Sequence, residues 1–270
     1  MECIFCKSTD IRELNSFNDY SICACNVCNT VFADQVADNK EYYFLSPKKS
    51  SGVLKQKLAN SAKSITAEFY YNYLTNNLGT AVISSVLDIG ADRGHLLRLF
   101  EKQGVKAVGI EADRIRAANP VASDLRVGFF DEDYVLDERF NLVCFTQNMS
   151  YFRDNRSILK KASSLLNGGG YIFIATVNGD SPMAVKHFSK YGNPNNCACI
   201  LSKKGWSEIC DLFEFDLLDY SFYEPPMLKD IVSKRWFRLP QYMICPSKAY
   251  YRTDINGHHA LILLKRRKGV

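Results

Sequence analysis

At 270 residues with a formal net charge of +5, the chain is long enough for one large core and a small satellite module, and too short for two full-sized catalytic domains. A hydrophobic fraction of 47% and an aromatic fraction of 13% exclude a chain disordered throughout, because ordering entropy is offset only where enough apolar surface is buried. The opening MECIFCKSTD lacks the basic-then-apolar order of a secretory leader, and no apolar run is long enough to span a bilayer. The expectation is a cytoplasmic protein without a membrane partner, whose mild positive charge permits nucleic acid without requiring it.

The first 45 residues alternate short β-rich pieces with cysteines, and five of the ten cysteines fall before residue 29. Cys3-x-x-Cys6 and Cys25-x-x-Cys28 are two knuckles, each able to place two thiolates on one side of a tetrahedral ion, so a structural zinc (Zn2+) held by Cys3, Cys6, Cys25 and Cys28 is expected. Cys23 competes with Cys25 for the fourth place. Free buried thiols and an iron–sulfur cluster are the alternatives. Such a module is too small to fold on its apolar core, so metal binding would supply much of its folding free energy.

Residues 46–80 form a connecting segment, in which Leu54, Leu58, Ile65, Phe69 and Tyr73 recur at helical spacing and predict a helix ending near Gly79. From residue 81, strand-like and helical runs alternate: SSVLDIG, HLLRLFEKQG, KAVGIE, DRIRAANP, FNLVCFT, RSILKKASSLLNGGG and YIFIAT. This order predicts an α/β domain over 81–270, a Rossmann-like parallel sheet with helices on both faces. A helix at KKGWSEICDLF, a strand near LLDYSFY and a last strand at HHALILLK follow, the two strands being interrupted by an insertion at 224–257 rich in proline, aromatic and basic residues. Cys197 and Cys199 lie in a loop-like NPNNCACILS stretch.

SSVLDIGADRGHLLRLF reads as a buried strand, a glycine-punctuated turn and a helix, which predicts that backbone amides from Gly90 to Gly94 face a ligand at the strand's carboxyl end. Glu111 closes the next strand, where a carboxylate can accept hydrogen bonds from both hydroxyls of an unphosphorylated ribose. Only Gly90 and Gly94 punctuate the loop, so the dinucleotide pattern G-x-G-x-x-G is not met and a pyrophosphate cofactor is disfavoured.

VLDIGADRGHLL, VGIEAD, FNLVCFTQN and LLNGGGYIFIAT together resemble the successive motifs of class I S-adenosylmethionine-dependent methyltransferases, over about residues 81–180. The resemblance implies S-adenosylmethionine as cofactor, with Asp88, Gly90, Ala91 and Gly94 in the first motif and Asp92 standing where the family commonly has a glycine. It further implies Glu111 at the ribose, Phe129, Phe130 and Asp131 beside the adenine, and Gln147 at the methionine end. The two phenylalanines are equally readable as core.

With the cysteine pairs added, the chain resembles zinc-ribbon methyltransferases associated with sugar, polysaccharide or antibiotic modification. That implies a small-molecule, sugar-like acceptor. The Glu-His pair frequent after the fourth strand of those enzymes is replaced by Ser150 and Tyr151, so the catalytic base is left unassigned, with Tyr151, Asp180 and His187 as candidates. Two other functions stay open: an RNA base methyltransferase using the basic patches at 229–238 and 265–268, and a non-catalytic binding protein that kept the fold. In the insertion, Trp236, Phe237 and Tyr242 are the candidate ring-stacking residues for a sugar, with Arg235 and Arg238 for a phosphate.

Overall fold

The computed structural model describes residues 1–17, 19–35, 53–182, 184–186, 188, 197–223, 251–252 and 257–267, of which 53–59 and 251–252 are described as backbone. His187 and most of the 224–257 insertion, with Arg235, Trp236, Phe237, Arg238 and Tyr242, lie outside the described residues.

In chain order, β1 (Ile11–Ser16), β2 (Ser21–Cys25) and β3 (Val31–Ala33) form an antiparallel ribbon. A long helix follows, α1 (Val53–Leu78), ending one residue before Gly79, whose φ of 78° lies in the left-handed region that glycine adopts freely. Then come β4 (Ser85–Ile89), α2 (His95–Glu101), β5 (Lys106–Glu111), α3 (Arg114–Ala117), β6 (Leu125–Val127), β7 (Phe140–Thr146), α4 (Asn155–Ser164) and β8 (Leu166–Val177). The run closes with β9 (Cys199–Ile200), α5 (Lys203–Leu212), β10 (Phe215–Tyr223), β11 (Tyr251–Arg252) and β12 (His259–Arg266). Asp113, Asp154 and Ser202 cap α3, α4 and α5 by accepting from first-turn amides. No helix among the described residues is long and apolar enough to cross a membrane.

The main sheet has the order β11-β10-β12-β8-β7-β4-β5-β6. From β6 to β8 every pairing is parallel, whereas β12 is antiparallel to both β8 and β10. This is the α/β, Rossmann-like sheet that the alternation of runs predicts. β4 is buried along its whole length, as a strand covered on both faces must be. On one face, Phe69, Tyr73 and Leu74 of α1 pack with Leu97 and Phe100 of α2, so the predicted stripe of Ile65, Phe69 and Tyr73 does meet the core. Ile158 and Leu159 of α4 and Trp206 and Ile209 of α5 cover the other.

The sequence predicts a loop over NPNNCACILS, and the structure differs: Cys199 and Ile200 form a strand. β9 joins the ribbon's sheet, in the order β1-β2-β3-β9, with Val31 opposite Ile200 and Phe32 opposite Cys199. The physical reason is that a three-stranded ribbon leaves the polar edge of β3 unpaired, and a segment of the enzyme domain satisfies it. Cys3, Phe5, Cys28 and Phe32 consequently share one core with Met149, Leu201, Trp206 and Ile209.

Phe32 is fully buried in that shared core. Phe32→Ala should therefore destabilise the enzyme domain and not the ribbon alone, by roughly 3 to 5 kcal/mol. Urea denaturation followed by the fluorescence of Trp206, which lies in α5, checks this. An unchanged midpoint would mean that the ribbon melts on its own.

Candidate functional site

The strand order reverses between β4 and β7, and in open α/β sheets ligands bind outside the carboxyl ends of the strands at such a switch point. Asp88 is the penultimate residue of β4, Glu111 ends β5, and Gln147 and Asn148 follow β7 directly. Asp88, Glu111 and Gln147, which the resemblance assigns to one cofactor, thus all sit at strand ends beside the switch point.

The turn after β4 is shaped by three left-handed residues, Gly90 (φ 70°), Asp92 (φ 54°) and Gly94 (φ 82°). A side chain at Gly90 would run into Asn148, and a Cβ at Gly94 would sit 2.6 Å from that of Ala122. The middle position also needs a positive φ, and aspartate is among the few other residues that visit that region. This accounts for Asp92 in a place that resemblance assigns to glycine. Its carboxylate pairs with Lys63 of α1 and lies 3.5 Å from Nε of Arg116 in α3.

Four of the five amides of this loop are already bonded within the protein, contrary to the expectation from sequence that they face a ligand. Gly90 and Ala91 donate to the carbonyl of Ile110, Gly94 donates to that of Ala91, and Asp92 donates to Glu111 Oε2 at 2.7 Å. The turn hangs from the end of β5, and what it offers is a close approach of backbone rather than an anion cradle. Glu111 is 6% exposed, and its second oxygen accepts from the Asp113 amide at 2.8 Å. Burial pushes its carboxyl up from the ordinary value, with those amides and Arg116 opposing. Two short backbone bonds thus fix the carboxylate while each oxygen keeps a lone pair for a hydroxyl.

Asp88 is 1% exposed, and its Oδ1 has no partner among the described residues. Burial, then the charges of Glu111 and Asp92, hold its carboxyl well above the usual carboxylate range. Asn148 Oδ1 and His95 Nε2 are likewise buried without a partner among the described residues, and burial lowers the pKa of the His95 imidazole, with Asp92 opposing. Gln147, itself at φ 63°, donates from Nε2 to the hydroxyls of Tyr70 (3.2 Å) and Tyr223. Those two hydroxyls are 2.6 Å apart, and burial pushes that of Tyr70 up to about 12. Both phenols are therefore neutral, and they tie α1 and the end of β10 to the end of β7.

The adenine-side candidates separate. Phe130 is 3% exposed and packs edge-on to Phe145 at 6.3 Å, so its ring belongs to the core. Phe129 is half-buried, and Asp131 accepts from the Asp133 amide at 3.1 Å. Of the candidate bases, Tyr151 is 36% exposed at the end of the 3-10 turn Met149–Tyr151. Asp180 is committed to the start of α5, accepting from the Lys203 amide at 2.8 Å. Sequence reasoning passed over Lys63, Tyr70, His95, Arg116, Asn148 and Tyr223. A tyrosine on the apolar stripe of α1 was the one signal for Tyr70.

In the ribbon the sulfurs of Cys3, Cys6, Cys25 and Cys28 all lie within 4.8 Å of one another, with Cys3 and Cys28 3.7 Å apart and Cys6 and Cys25 3.5 Å apart. Cys23 turns away and contacts Met1 Sδ at 3.6 Å.

A mostly parallel sheet with β12 running antiparallel between β8 and β10, carrying a glycine turn after β4 and an acid at the end of β5, defines a Rossmann-like methyltransferase fold. The methyltransferase domain family matches residues 34–220, more than half of the chain, and the chain belongs to that family. The ubiquinone biosynthesis O-methyltransferase of Serratia proteamaculans (strain 568) is 22% identical over 116 residues, covering 40% of this chain; the match spans about half, 48%, of that relative's length. A plantazolicin methyltransferase, BpumL, in complex with a pentazolic desmethyl analog and SAH, superposes with a TM-score of 0.54 at 12% identity, covering 84% of this chain and 94% of the other. A SAM-dependent methyltransferase from Archaeoglobus fulgidus gives 0.51 at 18% identity, covering 74% and 94%. At these identities the two structures show a shared fold.

A buried acid with an unpartnered oxygen costs stability that a bound cation can offset. Because the folded-state pKa of Asp88 is raised, the ligand-free protein should lose stability as the pH rises above the ordinary carboxylate value and through the folded pKa, where the unfolded chain has already released its proton. Asp88→Asn should abolish that loss, so its melting temperature should exceed the parent's by a margin that widens with pH. Thermal melts of cofactor-free protein between pH 4 and 8 measure it, and coincident curves would refute it.

Proposed function

We propose that the chain binds S-adenosylmethionine at the carboxyl ends of β4, β5 and β7 and transfers its methyl group to a small molecule, with a sugar or nucleotide-linked sugar hydroxyl as the acceptor. One observation carries the cofactor assignment. Three carboxylates, Asp88, Asp92 and Glu111, converge at the switch point together with the partnerless buried atoms of Asp88, Asn148 and His95. That field suits a ligand bearing positive charge and a ribose, and is hostile to a pyrophosphate. Family membership supports the reaction class, and the pairing of a cysteine ribbon with this core supports the acceptor class.

When bound, S-adenosylmethionine supplies a methyl group on an already activated sulfonium, so in-line positioning can provide most of the rate enhancement. In this reading Glu111 accepts from the ribose hydroxyls, the glycine turn lets the backbone approach the sugar, and Phe129 flanks the base. Gln147 and Asn148, with the buried Asp88 carboxyl, border the methionine end. The Tyr70–Tyr223 couple holds the Gln147 carboxamide in place and excludes water beneath α1.

The four clustered thiols fit a closed, structural ion. A tetrahedron with metal–sulfur bonds of about 2.3 Å has edges of about 3.8 Å, and the Cys6–Cys25 and Cys3–Cys28 sulfur separations of 3.5 and 3.7 Å approach that edge. We assign Cys3, Cys6, Cys25 and Cys28 to one zinc, residues 1–45 to the ribbon, 46–80 to the connection and 81–270 to the methyltransferase domain.

Glu111→Gln leaves a single acceptor oxygen where there were two and removes the charge. The loss of one charge-assisted bond, roughly 1.5 to 3 kcal/mol, should weaken S-adenosylmethionine binding by about ten- to a hundredfold. Isothermal calorimetry tests it, and unchanged affinity, or tighter binding of NAD than of S-adenosylmethionine by the parent, would sink the assignment. Elemental analysis should find about one zinc per chain, falling in Cys25→Ser and unchanged in Cys23→Ser.

A further inference from the structure

The ribbon and the pocket are joined by an unbroken run of short backbone and side-chain bonds. The second knuckle is held from outside the ribbon: Ser202 Oγ donates to the carbonyl of Cys28 at 2.6 Å, and itself accepts from the Gly205 amide at 3.1 Å to cap α5. Directly after that knuckle, β3 pairs with β9, and the Ala33 amide extends the pairing by donating to the carbonyl of Ala198 at 3.2 Å. The amide of Ala198 in turn donates to the carbonyl of Ser150 at 2.7 Å. Ser150 is 4% exposed and sits in the turn Met149–Tyr151, whose last residue donates to the carbonyl of Asn148 at 3.0 Å. Asn148 donates to the carbonyl of Ile89 in β4, against the face of Gly90. A second tie runs from the first knuckle, where the carbonyl between its two cysteines, that of Phe5, accepts from Arg156 of α4 at 3.3 Å.

We infer that the four-cysteine centre is a positioning element of the cofactor pocket, and that an ion there and a cofactor at Gln147 and Asn148 bind cooperatively although neither touches the other. The argument rests on the zinc and S-adenosylmethionine assignments above. The turn at 147–151 takes its strained start, Gln147 at φ 63°, from being held at both ends. One end is the Tyr70–Tyr223 couple and the other is β9. β9 is only two residues long, too short to hold a position by itself, so its place depends on β3, and β3 depends on the knuckle that precedes it. Packing joins the same parts, since Cys28, Phe32, Cys199 and Met149 lie in one core. A change in the order of the ribbon therefore reaches the residues that border the methionine end of the pocket, through a contiguous set of bonds with one preferred arrangement.

Coupling of this kind is reciprocal: the factor by which zinc raises cofactor affinity is the factor by which cofactor raises zinc affinity. The experiment is a competition titration of the zinc-loaded, full-length protein with a chromophoric zinc chelator, with and without saturating S-adenosylhomocysteine. An affinity for zinc raised by about fivefold or more by S-adenosylhomocysteine is expected, and equal affinities overturn the inference. A protein that binds zinc but no S-adenosylhomocysteine would sink the cofactor assignment instead, and one that retains no zinc overturns the inference along with the metal assignment.

Because stripped protein can unfold altogether, amide hydrogen exchange on the loaded protein provides a second reading. Adding S-adenosylhomocysteine should slow exchange at the amides of Ala198, Ala33 and Asn29, which belong to the ribbon or its joint, by about threefold or more. Protection confined to the carboxyl ends of β4, β5 and β7, with ribbon amides unchanged, would show that the two sites are independent.

Discussion

The conformation of the site depends on how the turn after β4 is suspended from the end of β5. Four of its amides are spent internally, two on the Ile110 carbonyl, one on Ala91 and one on Glu111. A turn so committed offers few amides to a phosphate, and what it presents is shape and carboxylates. The same bonds fix Glu111, which accepts from both Asp92 and Asp113. The acid we propose for the ribose is thus pre-positioned by the turn beside it, and ligand binding need not order it. Asp92 completes the arrangement by supplying the left-handed residue the turn requires and a charge for Lys63, which draws α1 across the opening.

Much of this fold is legible in the chain. VLDI, KAVGI, LVCF and YIFIA are continuous apolar runs because parallel strands are buried on both faces, and the helix before them shows its period through Ile65, Phe69 and Tyr73. The cysteine knuckles are legible because C-x-x-C is a local geometry that needs nothing from the rest of the molecule to bring two sulfurs together. What stays hidden is non-local or very short. β6, β9 and β11 have three, two and two residues, fewer than any periodicity needs, and β9 takes its strand character from pairing with Val31 and Phe32, far earlier in the sequence.

The chemistry divides along the same line. Asp88, Glu111 and Gln147 are readable because each sits next to a strand end, so locating the strand locates the residue. Tyr70, Asn148 and Tyr223 are not, since their meeting depends on how α1 and β10 cross the sheet. The loop amides illustrate a subtler failure. Sequence correctly places five residues between a strand and a helix, but whether an amide points to a ligand or to Ile110 is decided by a carbonyl on another strand. Phe130 shows the matching ambiguity for side chains, as adjacent aromatics on a chain cannot both face the same way, and packing against Phe145 decides which one is core.

The place of β12 has a consequence for how the chain reaches this state. β12 lies between β8 and β10, both of which precede it in the sequence, and it pairs with β8 over seven residues from Tyr171 to Val177. Until it arrives, β8 exposes an unpaired edge and β10 has only the two-residue β11 beside it, with no link to the rest of the sheet. The earlier strands can assemble as each is made, but the far side of the sheet has to wait, with Tyr223 and its hydroxyl partner Tyr70 held apart. During synthesis the unprotected edge of β8 is open to pairing with another chain.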